Sequence, residues 1–243
     1  RAMTASGIGP YPGIKEASLE IRAIPTDYRG RLYRSRLEAR WAAFFDLLGW
    51  RYEYEPFDFR GWIPDFVIFG VEEILVEVKP YSELEEFDVE KIKAAMEKTE
   101  KWGREILLLG SAIQKSNTQL EPEDLGSDGK GPAIGWLGEF DYVGYFFDIA
   151  PLVRYSIPVE NGESDRGSDQ DYIGFCHGSG GYNDRITGRH AGGFVGGISW
   201  VDTLSLWNLA GNLVQWNPPK AGLERISDIA ARALRTIGQK GEV

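Results

Sequence analysis

The apolar positions Leu37, Trp41, Phe44 and Leu48 fall at separations of 4, 3 and 4, which places them on one side of an α-helix. That spacing predicts a helix over residues 33–48, ended by Gly49. Residues 51–54 then alternate as a short strand does, and Pro56, Gly61 and Pro64 punctuate the connection that follows. Two runs of Val, Ile, Leu and Phe type, residues 65–69 and 74–79, are separated by a turn over residues 70–73 and predict a β-hairpin. Pro80 stops the second strand.

Beyond Pro80, Val89, Ile92, Ala95, Met96 and Thr99 recur at helical spacing among Glu and Lys, so a helix is expected over residues 88–102, closed by Gly103. Residues 105–109 are a continuous apolar run, the pattern of a buried strand reached by a helical crossover. Helix, strands, helix, strand is the order of an α/β fold with a mixed central sheet flanked by helices. After residue 110 the pattern weakens. Residues 142–148 read as a strand paired with residues 134–137, residues 160–170 as an exposed loop, and residues 172–176 as another strand. Between Gly178 and Gly197 there are eight glycines in twenty residues, which predicts loops. Pro218 and Pro219 precede a helix expected over residues 221–237, with Leu223, Ile226, Ala230, Ala233 and Ile237 on one face. The division that results is a flexible terminus or cloning remnant over residues 1–14, a core over residues 15–158, and a glycine-rich extension over residues 159–243, packed on the core and ending in that helix.

Composition narrows the function classes. With 42% hydrophobic and 26% charged residues in 243, the chain has the make-up of one large folded domain. It has neither an apolar run of membrane-spanning length nor the pattern of a secretory leader, so a soluble protein of the cytoplasm, with no membrane partner, is expected. The single cysteine, Cys176, excludes an intrachain disulfide, and with only His177 and His190 beside it a Cys/His zinc site cannot be assembled. A bound metal must therefore sit on oxygens. Cys176 next to His177 reads as structural, because adjacency in the chain does not bring a nucleophile to its base. The net charge of -10 argues against a nucleic-acid partner, yet Arg29, Arg31, Arg34, Arg36 and Arg40 lie close together, opposed only by Glu38. Such a run is either a solvated helix face or a phosphate-binding one.

In the strand that ends at Lys79, alternation puts Leu75, Glu77 and Lys79 on one face and Ile74, Val76 and Val78 on the other. Charge beside an otherwise apolar strand costs several kcal/mol unless it is paired or binds something. Asp65 begins the preceding strand, directly after Pro64, and the hairpin brings it within reach of Glu77. Two converging carboxylates are what Mg²⁺ prefers, since that ion binds through one or two of them and keeps several waters. Glu38, at the edge of the apolar stripe of the first helix, offers a third carboxylate to the same metal, or else an ion pair to Arg34 four residues earlier. Trp200, Trp207 and Trp216 suit either base stacking or packing, and packing is the expected use. The arginines Arg225, Arg232 and Arg235 of the final helix lie on a DNA-touching or a solvated face.

Pro64-Asp65, the hairpin, Glu77-Val78-Lys79 at the end of an apolar strand, and the helix from Arg34 to Trp41 together resemble the PD-(D/E)XK nuclease superfamily, which has the restriction-endonuclease-like fold. The resemblance spans about residues 33–109; the acidic first helix is similar to that of phage-borne and transposon-associated members, and Tyr54-Glu55-Pro56 to the latter. Lys91 and Lys93 stand where the RecB-like branch carries a Gln-containing motif. The resemblance implies that Asp65 and Glu77 bind the metal with Glu38 as the helix carboxylate, that Lys79 is the family lysine, and that Mg²⁺ or Mn²⁺ is the cofactor. The expected function is metal-dependent hydrolysis of DNA phosphodiester bonds by a phage or mobile-element protein, with Arg34, Arg36 and Arg40 on backbone phosphates. The alternatives are a transposase-like cleaving subunit of a larger assembly and a DNA-binding module that does not cleave. A homodimer or partner proteins are compatible with each.

Overall fold

The computed structural model describes residues 23–59, 61–97, 104–116, 131–140, 144–157, 170–178, 183–188 and 196–215. It opens on a hairpin of β1 (Thr26–Tyr28) and β2 (Arg31–Tyr33), joined by Arg29 and Gly30, both at positive φ (55° and 75°). Positive φ at both central residues is the type I′ geometry, whose twist matches that of the strands it joins. The expected helix therefore starts later than residue 33. α1 (Arg36–Leu48) begins at Ser35, whose hydroxyl oxygen accepts the Glu38 N–H at 3.1 Å. Gly49 ends it in the left-handed conformation, φ 73°, as expected of a glycine just past a helix.

Among the described residues the central sheet has nine strands, and its main path runs β10 (Gln170–Phe175), β9 (Tyr145–Ile157), β8 (Pro132–Phe140), β6 (Ile106–Leu109), β5 (Glu73–Val78), β4 (Phe66–Phe69), β3 (Tyr52–Tyr54), with β7 (Gln114–Lys115) added on β8 and β11 (Gly196–Gly197) on β9. β3 (Tyr52–Tyr54), β4 (Phe66–Phe69) and β5 (Glu73–Val78) are antiparallel neighbours, so the expected hairpin is present. α2 (Val89–Met96) then carries the chain over to β6 (Ile106–Leu109), which is parallel to β5 as the crossover predicts. α2 ends at Met96, and residues 98–102 of the expected helix, with Gly103, lie outside the described ones. β7 (Gln114–Lys115), β8 (Pro132–Phe140) and β9 (Tyr145–Ile157) extend the sheet by antiparallel pairing, and Leu137 faces Asp148. β10 (Gln170–Phe175) and β11 (Gly196–Gly197) both pair with β9. The helix expected over residues 221–237 and most of the loop expected over residues 160–170 lie outside the described residues.

Helices cover both faces of the sheet. One core joins α1 and α3 (Trp200–Leu213) to Phe66, Ile68, Ile74, Val76, Leu107, Leu137, Leu152 and Phe175. The other sets Ile92 and Met96 of α2 against Val67, Leu75, Ile106, Leu108 and Trp136. The molecule is thus mixed α/β, and β10 and α3 share the first core with α1. α3 was not expected from the sequence. It is capped by Ser199, whose hydroxyl accepts the Asp202 N–H at 3.1 Å, and it buries Thr203, Leu206, Trp207 and Ala210. Its Trp207 packs on Trp41 of α1 with ring centroids 4.4 Å apart, and Trp41 donates its indole N–H to Gly110 O at 3.0 Å. Packing is therefore the use the fold makes of Trp207.

Candidate active site

Extending the β4–β5 register by one position from Phe66 opposite Val76 sets Asp65 opposite Glu77. Residues directly opposite in an antiparallel pair project to the same face, with Cβ atoms about 4.5–5.5 Å apart. The two acids thus stand together at the rim of the second core, on the face of Val67 and Leu75. Both are buried, Asp65 to 1% exposure. Lys79, just past the end of β5, directs its ammonium between them, in contact with Glu77 Oε1 and 3.7 Å from Asp65 Oδ2. Asp65, Glu77 and Lys79, the three residues that strand alternation singled out, are one cluster.

Each carboxylate is held by groups that no sequence pattern pointed to. Asp65 Oδ2 accepts the Val78 main-chain N–H at 2.7 Å, a donor fixed by β5 itself. Glu77 Oε2 accepts the indole N–H of Trp62 at 2.7 Å. Trp62 is itself buried and ends a row of rings, Phe57 to Phe59 at 5.7 Å and Phe59 to Trp62 at 5.8 Å, in the loop between β3 and β4. The sequence signal for Trp62 was only an aromatic residue two positions before Pro64.

Glu38 stands at the margin of this cluster with its oxygens already engaged. Oε1 accepts the Ser35 hydroxyl at 2.8 Å, and Oε2 accepts the Tyr54 hydroxyl at 2.5 Å and the Arg34 main-chain N–H at 3.2 Å. The Arg34 side chain bridges the acids: its Nη2 contacts Asp65 Oδ1, and its Nε lies 2.7 Å from Glu55 Oε1 and 4.0 Å from Glu38 Oε2. Both uses open to Glu38 therefore meet at one point, since its Arg34 partner is the residue that touches Asp65. Glu55 has a left-handed backbone, φ 48°, although it precedes Pro56. That conformation is disfavoured before proline and costs on the order of 1–3 kcal/mol, and such strain persists where surrounding contacts enforce it. Here the Glu55 N–H donates to Asp65 O at 2.9 Å and its carboxylate holds Arg34.

The electrostatics follow from burial. The Asp65 carboxyl is pushed up to about 7, first by burial and then by the Glu77 carboxylate; Lys79 and the Val78 N–H pull it back, and Glu38 adds to the rise. Lys79 loses by burial but gains more from Asp65 and Glu77, so its ammonium is held above the ordinary lysine range. Around the cluster, four carboxylates (Glu38, Glu55, Asp65 and Glu77) meet two cations (Arg34 and Lys79), a local excess of negative charge.

The arginines expected on phosphates separate in space. Arg34 turns to the acids. Arg36, at the first position of α1, is exposed. Arg40 turns away from the cluster: it donates to Trp207 O at 3.0 and 3.2 Å and lies 3.9 Å over the Trp207 ring, so its guanidinium is spent on joining α1 to α3. Arg29 pairs with Asp46 at 3.0 Å and, with Arg31 and Arg51, lines a cleft of about 430 Å³ that also contains Asp46 and Glu53. Cys176 is buried, and burial chiefly holds its thiol up at about 11, with Arg185 lowering and Asp184 raising it; the protonated thiol is no nucleophile.

Among the described residues, no cluster of three or more His, Cys, Asp or Glu side chains stands at metal-holding spacing. The donor set on hand is the Asp65–Glu77 pair, with Glu38 beside it. Comparison with family models, with curated proteins and with solved structures gives no match to this chain.

Proposed function

We propose that this chain is a metal-dependent nuclease that hydrolyses phosphodiester bonds of DNA, with Asp65, Glu77 and Lys79 as its centre and Mg²⁺ or Mn²⁺ as its cofactor. The observation that carries the reading is the buried Asp65–Glu77 pair, opposed in register, with the Lys79 ammonium between the two acids. Like-charged carboxylates so placed destabilise the fold unless a cation joins them, and the donor chemistry suits a hard divalent ion, which needs one or two carboxylates and keeps its remaining waters. Held by Asp65 and Glu77, that ion would polarise a phosphate oxygen and lower the pKa of a bound water.

The protein's own groups supply the rest. The Val78 N–H and the Trp62 indole fix one oxygen of each acid, so the carboxylates do not reorient during turnover. Lys79 stays charged and offers its ammonium to the attacking water or to the charge that develops on phosphorus-bound oxygens. Glu38 anchors the start of α1 through Ser35 and Tyr54, and so positions Arg34 rather than donating freely to the metal. The test is incubation with circular single-stranded, circular duplex and linear DNA in Mg²⁺, in Mn²⁺ and in chelator. The expected result is metal-dependent cleavage of at least one substrate, absent in Asp65→Asn; intact DNA in every metal condition, or equal cleavage by the variant, would sink the proposal.

A further inference from the structure

Of the two oxygens of Asp65, Oδ2 is tied to the Val78 main-chain N–H at 2.7 Å, and Oδ1 is held by the Arg34 guanidinium. Any cation that coordinates Asp65 through Oδ1 meets Arg34 there. We propose that Arg34 is an exchangeable counter-ion: it neutralises Asp65 while no metal is bound, gives up Oδ1 when a divalent cation arrives, and then presents its guanidinium to a substrate phosphate. The exchange itself rests only on Asp65 taking a cation; the phosphate step rests on the nuclease reading.

The geometry permits the side chain to leave without disturbing the fold. The Arg34 side chain is 55% exposed where that of Asp65 is 1%, so it opens no core when it moves. Its main chain is pinned separately, with the N–H donating to Glu38 Oε2 at 3.2 Å and to the Tyr54 hydroxyl at 3.1 Å, and the next residue, Ser35, caps α1. Glu55, 2.7 Å from Nε, remains as a tether that keeps the freed guanidinium near the acids. Lys79 is the poorer candidate for exchange: its side chain is 38% exposed, its ammonium touches both acids, and it also donates to Val78 O at 3.2 Å. A guanidinium is suited to both tasks, since its planar fork matches carboxylate and phosphate alike.

The test is calorimetric titration of the full chain with Mn²⁺ alone, without nucleic acid, for the wild type, Arg34→Met, Arg34→Lys and Asp65→Asn. Removing a competing cation tightens metal binding, and a coupling of ordinary size makes Arg34→Met bind Mn²⁺ about fivefold or more tighter than the wild type. Arg34→Lys, which lacks the fork, is expected between the two, and it carries the test if Arg34→Met does not fold. Asp65→Asn is expected to lose the binding. In Ca²⁺, Arg34→Met should also bind a DNA oligonucleotide more weakly than the wild type. Mn²⁺ affinity that is unchanged or weaker in both Arg34 variants overturns the exchange and leaves the nuclease reading standing. Absence of Mn²⁺ binding in the wild type and in both Arg34 variants overturns both.

Discussion

At the scale of single residues, Asp65 sets the pH behaviour. Its folded-state pKa, about 7, lies above its ordinary value of 3.8. A carboxyl raised on folding contributes stability that is complete below the unfolded value and is lost as pH climbs through the folded one. Stability of the metal-free protein should therefore decline between pH 4 and about 7 through this group, and Asp65→Asn should remove that part of the slope in denaturant titrations. On the proposed function a proton and a metal would compete for the same carboxylate, so Mn²⁺ affinity should rise over the same interval. A wild-type profile matched by Asp65→Asn at every pH would contradict this account. Trp62 gives a second check at this scale. Trp62→Phe keeps the ring and removes the indole donor to Glu77, so it should weaken Mn²⁺ binding by about tenfold, as losses of groups that orient metal ligands do; unchanged affinity would show that Glu77 needs no such anchor. The three central residues were legible in the sequence because strand alternation and a tight hairpin fix where side chains point. Trp62 was not, and Tyr54 and Glu55 were marked only by the resemblance and without their contacts, because those depend on the path of the irregular segment and on one backbone torsion, which no local pattern encodes.

At the scale of elements, the start of α1 joins stability to the site. Ser35 caps the helix and holds Glu38, which in turn holds the Arg34 main chain. Ser35→Ala should cost about 1 kcal/mol of stability in denaturant unfolding, the usual loss for a cap. A cost below about 0.3 kcal/mol would mean that the cap is not what starts this helix. α1, the β4–β5 hairpin and the crossover to β6 could be read from apolar periodicity, since each is long or strongly patterned. β1 and β2 could not. They are three residues each and are joined by Arg29-Gly30 in place of the usual Asn-Gly or Asp-Gly turn. α3 escaped for another reason: its buried face runs Thr203, Leu206, Trp207, Ala210, so a polar residue opens the stripe, while Val201 outside it is exposed. β8 carries Gly135 where the β8–β9 register shifts; a Cβ there would lie 2.1 Å from Leu108 O, so this glycine is required by close approach of β6 rather than by a turn.

Across the whole molecule, the segments after residue 130 complete the fold around the site. β8 and β9 widen the sheet beyond β6, and α3 packs against the buried face of α1 through Trp207. Trp207 packs on Trp41 and Phe44 and lies under Arg40. Trp207→Ala should cost about 3–5 kcal/mol, the range for truncating a buried aromatic, read as a lowered midpoint of unfolding. A cost under about 1 kcal/mol would mean that α3 does not belong to the core that supports α1. Arg40 shows how charge patterning misleads at this scale: a cluster of arginines in sequence became an acid-bound residue, an exposed one and an inter-helix tie once the chain folded. The overall charge of -10 likewise does not decide whether DNA binds, because the proposed contact with a phosphate would depend on local cations such as Arg34 and Lys79 rather than on the sum.

The central claim, that Asp65, Glu77 and Lys79 form a hydrolytic centre, is tested most directly by single-turnover cleavage of DNA by the wild type and Lys79→Ala at saturating Mn²⁺. Loss of a charge-stabilising donor that acts in the transition state predicts a rate lower by about 100-fold or more, with Mn²⁺ still bound at Asp65 and Glu77. Cleavage by Lys79→Ala at the wild-type rate would contradict the account.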